Sequence, residues 1–156
     1  MSSKLYNVKR KIASILESDE NLRSILGGGP IIVGWPLGEH IRLPSITITD
    51  VYLRREVSGL GGLSNNPGQF EIYHIILQVD VWADSEGIRD RISEAILSAV
   101  LKALDSLRID GIVVGSPSAS TINEVRYGIF RHSIRYPITC EVYTYAKPRP
   151  NHDQTQ

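Results

Sequence analysis

The sequence predicts an α+β fold, in which an antiparallel sheet is packed by two helices with the element order α-β-β-β-α-β-β. Two amphipathic helical patterns and several long alternating segments predict it. A sheet and helices with one apolar face each bury those faces against one another. With 156 residues, 42% of them hydrophobic, the chain suits one domain with its own core. We predict that this domain spans residues 1–146 and that the polar tail 147–156 is disordered.

The first helix is predicted from about Lys4 to Ser18, because apolar side chains recur there at steps of three and four residues. These residues are Leu5, Val8, Ile12, Ile15 and Leu16. A short turn over ENLRSIL follows, and the glycines of GGGP end it and let the chain reverse direction. The segment IIVGW predicts a short strand.

Two longer strands follow, one starting after Pro44 and one from Gln69 to Trp82. Alternation in the second strand predicts one apolar face that meets the helices. That face carries Tyr73, Ile75, Leu77, Val79 and Val81. The connection between the strands, Val57 to Gly68, is rich in glycine and long for a hairpin loop. Loops of this length are often functional.

The second helix is predicted to begin after Asp84 or Ser85, either of which can cap its free backbone N–H groups. Its apolar stripe includes small alanines, which allow close approach to a sheet. Beyond it, IVVGSPSASTINEVRYG predicts a broken strand, and Ile129 to Tyr145 predicts a last strand. Because Pro137 lacks a backbone donor, this strand is predicted to lie at an edge or to carry a bulge.

Composition argues against several classes of function. The 17 basic and 17 acidic residues balance, so there is no global positive field for nucleic acid, and no specific nucleic-acid partner is expected. Cys140 is the single cysteine, which leaves no intrachain disulfide. No apolar run approaches the roughly 20 residues of a membrane span, and the charged N-terminus does not fit a signal peptide.

No motif in the sequence indicates catalysis, a metal or a cofactor. His40, His74, His132 and His152 lack the ligand spacings of metal sites, although His74 and His132 would approach each other if their strands pair. GGGP and GLGG match neither a P-loop nor a dinucleotide fingerprint. Asp80, Asp84 and Glu86 are close in sequence, and roles as helix caps or on solvated edges account for them without a catalytic pair. We therefore expect no catalytic residue, no metal site and no cofactor.

Four arginines form the least ordinary feature. Arg54 and Arg55 lie on one predicted strand, and Arg131 and Arg135 lie on another. If the strands share a sheet, the four side chains would form a basic stripe close to Glu56 and Glu141. A solvated sheet face is one interpretation. A charged contact surface is the other, because faces of mixed sign suit protein contacts better than phosphate binding.

The order of these segments resembles a known family. An N-terminal helix is followed by LPSITI, a glycine-rich loop, a strand ending in DVWA, the helix DSEGIRDRISEAILSAVLKAL and the strand GIFRHSIRYPITCEVYTY. From about Leu5 to Tyr145 this pattern resembles the tail-completion or tail-terminator proteins of long-tailed phages and related viruses. The resemblance implies a homo-oligomeric ring, usually a hexamer, that caps the tail tube and presents a docking face to the head connector.

The resemblance also implies a virion protein, made in the host cytoplasm, that acts at the head–tail junction without catalysis. Its partners would be further copies of itself, the tail tube protein and the head–tail connector protein. For these contacts we predict the arginines, two loop leucines and one acidic residue: Arg54, Arg55, Leu60, Leu63, Arg131, Arg135 and Glu141. The glycine-rich loop would become ordered on meeting a partner.

Three alternatives remain open from the sequence. The chain could be another head–tail joining, neck or tail-tube ring protein. It could be a small-ligand or enzymatic α+β domain, which would need a convergent polar pocket. It could also be a free-standing regulatory dimer.

Overall fold

The computed structural model describes residues 3–35, 42–58, 68–124 and 127–145. In these residues the chain forms three helices and six strands. The helices are α1 (Lys4–Ser18), α2 (Glu20–Leu26) and α3 (Glu86–Ile109). The strands are β1 (Ile31–Val33), β2 (Ser45–Ser58), β3 (Gly68–Ala83), β4 (Ile112–Val114), β5 (Ser118–Glu124) and β6 (Ile129–Tyr145).

All six strands belong to one sheet, with the order β1-β2-β3-β6-β4 and with β5 also paired to β6. The long strands β2, β3 and β6 pair antiparallel, whereas the short β1 pairs parallel to β2. The predicted α+β class is confirmed, and the order of elements is broadly as predicted. It differs in that ENLRSIL is a full helix, α2, and the predicted broken strand is the separate pair β4 and β5.

Local signals explain the ends of the helices. Asp19 accepts a hydrogen bond from Leu22 N at the start of α2, and Gly27 ends that helix in the left-handed conformation at φ 57°. Ser85, one of the two predicted caps, accepts a hydrogen bond from Ile88 N at 3.3 Å and starts α3. These short polar side chains satisfy backbone donors that the first turn of a helix leaves free.

The core lies between the helices and one face of the sheet. The predicted apolar face of β3 is buried at Ile75, Leu77, Val79 and Val81. Helix α3 contributes the opposing layer, with its buried residues Ile92, Ala95, Ile96, Ala99, Val100 and Leu107. The buried face of α1, which includes Ile12 and Leu16, belongs to the same core. We call this side of the sheet the helix face, and the other side the open face.

Pro137 does not mark an edge or a bulge, and that prediction was wrong. Strand β6 is central, with β3 on one side and β4 and β5 on the other, and its register with β3 is continuous. Gly115 N donates to Pro137 O at 2.8 Å, so the backbone polar groups of Pro137 face the β4–β5 side. They lie where pairing changes from β4 to β5, and no ladder residue there needs the missing N–H.

A bulge in β2 changes the direction of its side chains. The register with β3 shifts between Asp50 and Tyr52. Before the shift, Ile46 and Ile48 face the core. After it, Leu53 lies opposite Ile75 and therefore on the helix face. The distal half of β2, Tyr52–Ser58, carries exposed apolar side chains that the helices do not cover.

Replacing Gly29 with alanine is expected to destabilise the fold by about 1–3 kcal/mol. A Cβ at this position would lie 1.9 Å from the backbone oxygen of Pro44, so the chain between α2 and β2 has to move. Gly87→Ala in the first turn of α3 is the matched control, since its Cβ would meet nothing within 4 Å and alanine favours the helix. Urea denaturation measures both. Equal stability of the two variants would contradict the close approach at Gly29.

Candidate functional site: the open face, the sheet edges and an apolar groove

A buried polar cluster occupies the open face. The carboxylate of Asp80 is fully buried and accepts a hydrogen bond from Gln78 Nε2 at 2.9 Å. Ser133 Oγ donates to it from the neighbouring strand, and Arg131 Nη2 forms an ion pair with it at 3.2 Å. The register of β3 with β6 creates this cluster, because it sets Asp80 opposite Ser133. Three donors compensate the loss of water around the carboxylate.

Arg131 is also enclosed by two tryptophans. Its guanidinium carbon lies 4.4 Å from the ring centre of Trp82 and 5.5 Å from that of Trp35. The two rings meet edge to face at 6.0 Å, and Trp82 Nε1 donates to Thr47 Oγ1 at 2.9 Å. With 13% of its side chain exposed, Arg131 holds the open face together and presents little charge to a partner.

The other predicted arginines are placed differently. Arg54 and Arg55 point to opposite faces of β2, where Arg54 pairs with Glu56 at 2.6 Å and Arg55 pairs with Glu71. Arg135 Nε donates to Gln78 Oε1 at 3.2 Å. Strand β3 separates β2 from β6, so the four arginines do not form one stripe. The expectation of a continuous basic surface is corrected accordingly.

The remaining predicted contact residues fall into two groups. Glu141 is exposed on β6, opposite Ile72 of β3. Leu60 and Leu63 lie outside the described residues, as do most of the glycine-rich loop and the tail 147–156. Their contact roles stay predictions.

A Ser–His–Asp arrangement that sequence reasoning missed joins α3 to β6. Ser93 Oγ lies 2.8 Å from His132 Nδ1, and His132 Nε2 lies 3.6 Å from Asp90 Oδ1. Nearby, Arg89 Nη1 donates to Asn123 of β5 at 2.6 Å. The spacing of Asp90 and Ser93 by one helical turn is visible in the sequence, but their meeting with His132 depends on how α3 packs on the sheet.

The geometry of this trio is structural and unlike that of a catalytic triad. Ser93 Oγ donates to the carbonyl oxygen of Arg89 at 2.9 Å, so its hydroxyl proton has a backbone acceptor within the helix. A nucleophilic serine needs a base that accepts this proton. Ser93 is also buried inside a helix, whose backbone N–H groups are bonded within it and give no oxyanion site.

Acidification below about pH 6.5 is expected to weaken the fold through His132. Burial, and then the charge of Arg89, lowers the pKa of its imidazole below the ordinary value of 6.5, with Asp90 acting in the opposite direction. The unfolded chain therefore binds more protons than the folded chain near that pH. The contribution of His132 to the free energy of unfolding is fully present above about pH 6.5 and is lost as the pH falls. His132→Asn retains a donor near Ser93 and cannot titrate. Urea denaturation from pH 7.5 to 5.5 should show a shallower decline for this variant, and an identical decline would contradict the role of His132.

Two of the four histidines, His74 and His132, lie within the described residues. His74 and His132 lie on opposite faces of the sheet, so the expected approach between them does not occur. Within residues 3–35, 42–58, 68–124 and 127–145, no group of three or more His, Cys, Asp or Glu side chains could hold a metal ion. No helix of this same part of the chain has the length and apolar character needed to cross a membrane.

An apolar groove of about 380 Å³ runs between α3 and the segment that leads into β5. Its lining is Leu97, Val100, Leu101, Leu104, Val114, Gly115, Ser116, Pro117 and Tyr136. Leu101 is 68% exposed, which is unusual for a leucine beside other apolar groups. The hydroxyl of Tyr136 is buried without a hydrogen-bond partner among the described residues, and burial raises its pKa.

Among the strand edges without an outer neighbour in the described part of the sheet, the two longest belong to the distal half of β2 and to β5. Strand β1 pairs with only Ile46–Ile48, which leaves the distal half of β2 without an outer neighbour. On the opposite side, β5 pairs with β6 and all seven of its residues are exposed. Open edges offer backbone donors and acceptors to another strand.

Comparison with known proteins gives a structural likeness only. No protein-family model matches the chain, and no curated protein matches it. Among solved structures, a chain of the virion of a native gene transfer agent particle has a similar fold, with a TM-score of 0.50 and 15% sequence identity. The similarity covers 90% of this chain and 100% of that chain. The two chains thus share an α+β architecture over nearly their whole length.

Proposed function

We propose that this chain is a virion structural protein that assembles as a ring, caps the tail tube, ends its polymerisation and gives the head connector a surface to dock on. The observation that carries the proposal is the fold that this chain shares, over 90% of its length, with a chain of a gene transfer agent virion. A hexameric ring of tail-terminator type is the form that we propose.

The described surfaces support assembly. A ring needs heterologous contacts, in which one surface of a copy meets a different surface of the next. The chain offers two open sheet edges on opposite sides and an apolar groove beside one of them. The polar groups buried in the open face bond to one another, in keeping with a structural rather than a catalytic role for that face.

The predicted contact residues that are exposed on the sheet are the contacts that we propose. Arg54, Arg135 and Glu141 lie on the open face with their side chains reaching solvent, and Arg55 lies on the helix face. We propose them as rim contacts to neighbouring copies or to the tube. Leu60 and Leu63 remain proposed anchors of the loop. We propose that Arg131 stabilises the open face and makes no direct contact with a partner, because its guanidinium is already bound to Asp80 and packed on Trp82.

A tube-capping assay tests the function. The tube protein of the same virus is polymerised with and without this protein, and tube length and tube ends are examined by electron microscopy. We expect shorter tubes with a ring at one end. Unchanged tube lengths with bare ends would contradict capping, and rings found only at the head connector would indicate a neck protein instead.

Charge reversal tests the rim contacts in the same assay. Arg54→Glu with Arg135→Glu is expected to weaken capping, more so at low salt, where exposed charges interact over a longer range. Lys102→Glu, on the exposed side of α3, is the matched control. Capping by the double variant at the wild-type level would remove these arginines from the contact.

A further inference from the structure

We infer that the ring is closed by sheet extension, in which the outer edge of β5 in one copy pairs with the distal outer edge of β2 in the next. This inference rests on the proposed ring and adds the identity of the two surfaces that meet. Both lie within the described residues, and neither has an outer neighbour there.

The outward backbone groups of β2 follow from its hydrogen bonds. Ile46 N donates to Pro30 O, and Ile48 O accepts from Gly34 N, so these residues face away from β3. Outward and inward residues alternate along an antiparallel strand, and the bulge after Asp50 shifts the alternation by one. Leu53, Arg55 and Val57 therefore present their N–H and C=O groups to the outside.

The same reasoning applies to β5. Pro137 O accepts from Gly115 N, and Glu141 N donates to Gly111 O, so odd-numbered residues of β6 face the β4–β5 side. Their partners Ser118, Ser120 and Ile122 are thereby bonded to β6. Ala119, Thr121 and Asn123 point outward.

Within the residues that the structure describes, strand β5 also lacks the devices that usually protect an edge. Monomeric proteins cover or blunt such edges with lysine, proline, bulges or short strands. The segment SASTINE contains no lysine, arginine or proline, and its pairing with β6 is regular over all seven residues. This is an edge suited to receive another strand.

The directions of the strands favour a ring of several copies over a two-fold symmetric dimer. Strand β5 is antiparallel to β6, and β6 is antiparallel to β3, which is antiparallel to β2. Hence β2 and β5 run in opposite directions at opposite sides of one sheet. Copies rotated about an axis roughly along the strands would pair these edges antiparallel and keep all helices on the same side. Repetition of that step closes a ring.

Side chains select a register for this pairing. Tyr52 is 47% exposed and Ile122 is 40% exposed, and both lie on the open face. Setting Tyr52 opposite Ile122 makes an aromatic–β-branched pair of the kind that stabilises sheets. Leu53 then lies opposite Thr121 on the helix face.

The same register brings an exposed valine to the apolar groove. Four residues beyond Leu53, Val57 would lie opposite Pro117, which lines the groove under α3. Val57 and Leu101, both exposed in the single copy, would come together there and leave water. Arg54, Arg55 and Glu56 would face Ser120, Ala119 and Ser118, so no like charges are opposed.

Disulfide trapping tests the register. Leu53→Cys with Thr121→Cys places one thiol on each edge, directly opposite across the proposed contact. Within one copy the two positions are separated by three strand spacings, about 14 Å, which exceeds the roughly 7 Å limit for a disulfide. Oxidation in the presence of tubes should give a ladder of covalent oligomers up to the closed ring. The two single-cysteine variants are the controls, and Cys140 is buried.

A second experiment blocks the outer edge of β5. Thr121→Pro removes an outward N–H that β6 does not use, so the monomer should keep its far-ultraviolet circular dichroism and lose ring formation. Thr121→Val, which retains the N–H, should assemble as the wild type does.

The outcomes separate the two levels of the proposal. Rings that form without the double-cysteine ladder, or that survive Thr121→Pro in a folded protein, would overturn the edge pairing and leave the ring function standing. Absence of rings from the wild-type protein on tubes would overturn both.

Discussion

Asp80→Ala is expected to lower the free energy of unfolding by about 3–5 kcal/mol, since removal of one partner leaves an uncompensated buried charge. Arg131 would lose its carboxylate while it stays enclosed between Trp35 and Trp82. The hydroxyl of Ser133 would lose the group to which it donates. Urea denaturation followed by tryptophan fluorescence measures the loss, because both tryptophans adjoin the cluster.

Asp105→Ala is the control for this substitution. It truncates an exposed carboxylate on α3, where surface changes usually stay within about 0.5 kcal/mol. If the Asp80 variant lost no more stability than the Asp105 variant, the open face would not be held together by a buried ion pair.

Ile96→Ala is expected to lower stability by about 2–5 kcal/mol, because it removes three carbons from a fully buried position at the middle of α3 and leaves a cavity against the sheet. The measured quantity is again the free energy of unfolding from urea titration. The size of the loss depends on how far the surrounding layer of β3 and β6 side chains collapses.

Leu101→Ala provides the comparison on the same helix. With its side chain largely exposed, Leu101 should contribute little to the folded single copy, and its variant should stay within about 0.5 kcal/mol of the wild type. Equal losses at the two positions would mean that α3 does not pack through the face containing Ile96. A loss of assembly in the Leu101 variant alone would agree with the groove as a contact.

Much of the fold follows from local patterns in the chain. The steps of three and four in α1 and α3 predict which side of each helix is buried, and the alternation in β3 predicts its helix face. The capping role of Ser85 is predicted in the same way, because a cap acts within one turn. These features depend on residues close together in sequence, and no pairing has to be known.

The features that were missed depend on long-range pairing. A proline disrupts a central strand only if a paired residue of the next strand needs its missing N–H. Pro137 lies where the pairing of β6 changes from β4 to β5, and this position depends on the pairing of the whole sheet. The bulge in β2 is likewise set by register. The bulge places Arg54 on the open face and Arg55 on the helix face of the sheet.

The candidate surfaces show the same division. Clusters such as Asp80 with Arg131, or Ser93 with His132, join residues about 40 to 50 positions apart through side-chain contacts that no spacing rule contains. The apolar groove and the open edges appear only once the order of strands is known. The sequence did draw attention to Arg131 and Arg135, although as exposed charge, whereas Arg131 is nearly enclosed.

The most direct test of the ring is the mass and symmetry of the wild-type protein when bound to tail tubes. Particle averages of tube ends, with the native mass of complexes released from them, report both. We expect a closed ring of six copies at one end of each tube. A monomer or a two-fold dimer, with no rotationally symmetric density at either tube end, would contradict the account.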